Sequence, residues 1–134
     1  MLHRMWRIAI AALILMAGPA LAKESASGSQ YWELDYLPVP VIFDGRPAGI
    51  LTVVPIIDMG SNRALEEVAP QRLLVHDHLL LGLIKYATSG FDPRGVMNIR
   101  EIKRILQAEL DSAIGPGKGT VYVVSAHIAK RKGS

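Results

Sequence analysis

His76-Asp77-His78 is the cluster in this chain whose side-chain types could hold a metal ion. In a strand, residues two apart share a face and their imidazoles can converge on one cation; on a helix they diverge by about 200°. The surrounding Leu73, Leu74, Leu80, Leu81 and Ile84 recur at helical spacing. His76 and His78 are therefore expected as helix-surface or boundary residues, and a metal site on them would need a third ligand such as His127. Gly115-Pro116-Gly117-Lys118-Gly119-Thr120 has a glycine-rich look, but a phosphate loop needs Ser or Thr directly after the lysine and a strand leading into a helix. Here Gly119 follows Lys118 and the order is helix then strand, so a tight connection is expected. Asp35, Asp44 and Asp58 sit in or beside strand ends and turns, where Asp is ordinary, and no G-x-S-x-G elbow is present. The expectation is no catalytic residue, no cofactor and no metal.

The chain has no cysteine, which excludes thiol chemistry, Cys-ligated zinc, disulfides and acylation on a cysteine. Its +3 charge divides unevenly: with Arg4 and Arg7 set aside, 13 Lys+Arg face 12 Asp+Glu, and three of those cations are Lys130-Arg131-Lys132. Nucleic acid is not an expected partner, because no basic cluster is left for a folded face. The terminal run reads as a solvated basic tail over 130–134, with weak contact to anionic headgroups as the alternative.

The elements that position these residues are legible by period. Tyr31-Trp32-Glu33-Leu34-Asp35-Tyr36-Leu37 alternates Trp32, Leu34 and Tyr36 inward against Glu33 and Asp35, then meets Pro38 and Pro40, which predicts an edge strand that bends or ends there. Val41–Phe43 and Gly49–Ile57 flank Asp44-Gly45, whose positive-φ preference predicts an antiparallel hairpin. The second of these runs is apolar on both faces and should be the more buried. A helix is expected over about Pro70–Ala87, with a short helical turn through Leu65–Val68 before it and a loop over Thr88–Met97 after it. Asn98 with Glu101 forms a capping box that starts a second helix at Ile99, striped by Ile99, Ile102, Ile105, Leu106, Ala113 and Ile114 and ended by Gly115-Pro116. Thr120–Ile128 is a β-branched final strand. The sum is a small α+β domain, order β-β-β-α-α-β, with a largely antiparallel sheet packed on two helices over residues 31–129.

Ahead of it lies a positive start (His3, Arg4, Arg7), an apolar run Ile8–Ala17, Gly18-Pro19 and Ala20-Leu21-Ala22. That is the layout of a signal peptide cleaved between Ala22 and Lys23. Only 15 uncharged residues separate Arg7 from Lys23, short of the roughly 20 that span a bilayer, so cleavage is favoured over an inner-membrane anchor. Residues 23–30 read as a flexible linker. Either way the domain is expected in the periplasm or outside the cell.

The order of elements, and in particular Tyr31–Leu37 with its Pro-Val-Pro, Gly49–Ile57, Val68-Ala69-Pro70-Gln71-Arg72-Leu73-Leu74-Val75-His76-Asp77 with Leu79–Leu83, Ile99–Leu110 and Val121–Val124, resembles the periplasmic domain of the flagellar basal-body-associated FliL proteins. The resemblance implies a stomatin-like α+β fold without catalysis, and self-association or docking to protein partners around the flagellar stator. Family members usually keep an N-terminal membrane helix; the short segment here departs from that pattern. The alternative is a soluble periplasmic domain that binds a small ligand or metal.

Overall fold

The computed structural model describes residues 30–89 and 91–131. The expected signal segment, the expected Ala22–Lys23 junction, most of the expected linker and Lys132 lie outside the described residues.

Asp44 and Gly45 both take positive φ (53° and 73°), the conformation of a two-residue type I′ turn whose twist matches the strands it joins. It closes the hairpin between β2 (Leu37–Phe43) and β3 (Arg46–Asp58). At 13 residues β3 is longer than the sequence suggests, and it is the centre of an antiparallel sheet. β2 and the short β1 (Tyr31–Glu33) lie end to end along one side of it, and β4 (Thr120–Lys130) lies along the other. Pro38 and Pro40 lie inside β2 instead of ending a strand, and both are exposed. β2 is an edge, so the N–H groups that these prolines lack belong to positions facing away from β3.

The expected continuous strand Tyr31–Leu37 is broken at Leu34–Tyr36, and Pro55 is the physical reason. A proline in a central strand cannot donate to its neighbours. Opposite Pro55 the β3–β4 register shifts, and on the other side β1 stops at Glu33↔Ile56 while β2 resumes at Leu37↔Val53. The resulting extra residue reverses the inward parity. Trp32 and Leu34 are buried before it, Leu37, Val39 and Val41 after it, and Tyr36, expected inward, is exposed.

All helices cover one face of this sheet. Ser61 caps α1 (Asn62–Val68) by accepting the Ala64 N–H, and Pro70 sits in a 3-10 turn (Ala69–Gln71) that leads into α2 (Arg72–Thr88). Asn98 Oδ1 accepts the Glu101 N–H at 3.1 Å to start α3 (Ile99–Ile114). The Glu101 carboxylate does not complete the box; it pairs with Arg104. α2 packs over β2, and α3 over β4. Between the layers lie Leu37, Leu51, Val53, Ile57, Leu79, Leu83, Ile102, Leu106 and Leu110, all fully buried.

Three glycines set the close approaches, the tightest being Gly49 in β3, where a Cβ would come within 2.5 Å of the Ala129 carbonyl oxygen in β4. A Cβ on Gly82 in α2 would come within 2.6 Å of Glu109 Cγ in α3, and one on Gly119 within 2.9 Å of Met59 Sδ. Gln30, expected in the flexible linker, is tied to the sheet: its side chain donates to Asp58 at 2.9 Å and its carbonyl accepts the Met59 N–H.

Candidate functional site

His76 and His78 lie on α2, where their two-residue spacing turns them apart. His76 Nδ1 is 3.9 Å from Asp77 Oδ1, while His78 Nδ1 is 3.4 Å from Glu109 Oε2 and links α2 to α3. His127 lies on β4, exposed and opposite Thr52, in the other layer. No group of three metal-ligating side chains occurs among the described residues.

The three aspartates are likewise dispersed. Asp44 forms the hairpin turn, Asp35 is 4.0 Å from Arg72, and Asp58 Oδ1 accepts from Gln30 and from the Gly60 N–H. In the glycine-rich segment the Gly115 N–H donates to the Asp111 carbonyl, ending α3, and Gly117 turns the chain at φ 75° into β4. That is the expected connection.

Gln107 has a larger role than its place outside the apolar stripe suggests. Its Oε1 accepts the Val121 N–H at 2.8 Å, and its Nε2 donates to the Gly119 carbonyl at 2.9 Å and to Asp111 at 3.0 Å. One amide side chain thereby stands in for a neighbouring strand at the start of the β4 edge.

Charged side chains line several clefts among the described residues, two of them large. The groove between the second half of α2 and the first half of α3 encloses about 690 Å³ and holds Lys85, Tyr86, Glu101, Arg104 and Glu109. Its Glu101 carboxyl is held below the ordinary carboxylate range by hydrogen bonds from Arg104, and the Tyr86 phenol is pushed up by burial and then by the Glu101 charge. A second cleft, about 650 Å³, lies at the hairpin end of the sheet among Phe43, Asp44, Arg46, Arg94, Lys130 and Arg131. The Arg94 guanidinium is 4.9 Å from the Phe43 ring centre, and its hydrogen bonds hold Asp92 low. Lys130 and Arg131, read from the sequence as tail, thus belong to the end of β4 and this cleft.

Of the exposed large apolar residues, Tyr36, Val96 and Ile99 are scattered over the β1–β2 break, the α2–α3 loop and the start of α3, while others lie on two surfaces. The sheet face turned away from the helices carries Ile50 and Tyr122, both about half exposed, beside the partly covered Ile42, Thr52, Val54 and Ile56. β3 is apolar on both faces, as its sequence reads, but only one face is covered. The other surface is the outside of α2. Val75, Leu79, Leu83 and Ala87 point into the core, while Leu73 is 79%, Leu81 54% and Leu74 46% exposed. Their helical spacing marks the element without selecting its buried face, because leucines occur on more than one side of α2. α3 is the internal contrast: Ile102, Leu106, Leu110 and Ile114 are buried, and its outer face is charged at Arg100 and Arg104.

No helix among the described residues is long and apolar enough to cross a membrane. No family model and no curated protein matches this chain.

Proposed function

We propose that this chain is a non-enzymatic cell-envelope domain that acts by docking to proteins, in the role that the FliL resemblance implies: an accessory of flagellar motility. The observation that supports it is that each layer leaves large apolar side chains exposed on its outside, Ile50 and Tyr122 on the sheet and Leu73, Leu74 and Leu81 on α2. Large apolar side chains grouped on a surface mark contact sites. The basic surface at Arg46 and Lys130 favours a second reading, in which the cleft beside Phe43 takes a small anion.

The test is a photo-cross-linking residue placed in the full-length chain at Ile50 or at Leu81, in the envelope of the cell that makes it, with Arg100 on α3 as the control position. Docking predicts discrete adducts from Ile50 or Leu81 and none from Arg100; equal labelling at all three refutes it. Loss of the chain should reduce swimming without removing filaments, and unchanged swimming removes the flagellar part. A rise in melting temperature with inorganic phosphate, without adducts, would favour the second reading.

A further inference from the structure

We infer that the outer face of α2 binds a second copy of this chain, with the two α2 helices antiparallel across a two-fold axis at Leu81. The inference rests on the docking reading and names the occupant of one of its surfaces.

Five exposed residues line this face: Leu74, Asp77, Leu81, Lys85 and Thr88. At about 100° per residue they fall within an arc of roughly 80°, with Leu81 central and Asp77 and Lys85 one helical turn to either side. A two-fold contact sets the same patch against itself, so the patch must complement its own reversal. This one does. With the axis at Leu81, Leu81 meets its copy, Asp77 of each chain lies at the level of Lys85 of the other, and Leu74 lies opposite Thr88. Packing the i, i+4 row Asp77–Leu81–Lys85 alongside its copy corresponds to a common helix crossing of about −50°. The complementarity is specific to this arrangement, since parallel helices would set Asp77 against Asp77 and Lys85 against Lys85. Within one chain, Asp77 and Lys85 are about 12 Å apart along the axis and do not pair. The charged outer face of α3 has no comparable apolar centre.

Sedimentation velocity of the full-length chain tests this. Leu81→Asp should raise the dimer dissociation constant at least tenfold while circular dichroism shows the same fold, because Leu81 lies outside the core. Asp77→Lys alone, and Lys85→Asp alone, should each weaken the dimer about tenfold, since the axis repeats every charge contact twice. The double variant D77K/K85D should restore it. A double variant as weak as the single ones, or a wild-type chain that stays monomeric at millimolar concentration, overturns the dimer. A cross-linker at Leu81 separates this inference from the docking reading. An adduct of twice the chain mass supports both, an adduct with a different protein overturns the dimer and leaves docking standing, and no adduct from either Leu81 or Ile50 removes both.

Discussion

Replacing Gln107 should open the edge of β4 from a distance. Its amide satisfies the Val121 N–H (2.8 Å) and the Gly119 carbonyl (2.9 Å) together, both in a part-buried setting. Gln107→Ala leaves each without that partner, and an unsatisfied buried polar group costs about 1–3 kcal/mol. Partial access of water at this edge puts the total near the lower half of the combined range, about 2–3 kcal/mol. For a domain of about 100 residues each kcal/mol is worth about 4–8 °C, so the melting temperature should fall by about 10–20 °C. Calorimetry measures the fall, and amide hydrogen exchange locates it: the Val121 N–H should lose protection while amides in the middle of α3 keep theirs. Gln107→Glu is the sharper variant. It keeps the acceptor for Val121 but loses the donor and adds a charge beside Asp111, so it should be less stable at pH 7 than at pH 4, where the carboxyl can carry a proton. Unchanged protection at Val121 together with a melting shift below about 3 °C would refute the idea that this side chain closes the edge.

Gly82→Val should separate α2 from α3, because even a Cβ there meets Glu109 Cγ at 2.6 Å and Ile105 Cγ2 at 3.1 Å; we expect a loss of about 2–3 kcal/mol by denaturant titration, and Gly82→Ala should cost less as the Glu109 side chain swings away. The Glu101–Arg104 and Asp92–Arg94 pairs hold both carboxyls below their ordinary values of 4.5 and 3.8, chiefly through the arginine hydrogen bonds. Depressed folded-state values mean stabilisation that is present above those ordinary values and lost as pH falls through the folded ones, so melting temperature followed from pH 6 to 2.5 should drop more for the wild type than for E101Q/D92N. Intact mass of the protein recovered from its envelope should begin at Lys23, and a retained Met1 would replace the cleaved signal peptide with an anchor.

Residue chemistry at turns and caps made much of the fold legible. Asp44-Gly45 determines a hairpin because positive φ at two successive positions suits few other residue pairs, and Asn98 determines a helix start because its carboxamide accepts the Glu101 N–H. The dispersal of the histidines was also readable, since helical spacing alone turns His76 from His78. Other features were hidden because they depend on partners distant in sequence. The break at Leu34–Tyr36 is set by Pro55, some twenty residues away across the sheet, so alternation alone placed Tyr36 on the wrong face. Gln107 looked like an ordinary polar residue on a helix until the fold brought Gly119 and Val121 to it.

By itself, then, the sequence determines the element types and their order, an α+β domain of β-β-β-α-α-β, because backbone preference and hydrophobic period act locally. Which apolar face becomes core is decided only in three dimensions. β3 and α2 are apolar on both sides, and each could have buried either. The tertiary structure places all the helices on one side of the sheet and turns Val75, Leu79 and Leu83 inward, leaving Ile50, Leu74 and Leu81 at the surface. The physical reason is that a two-layer domain has one interior, so an element with two apolar faces can satisfy only one of them within its own chain.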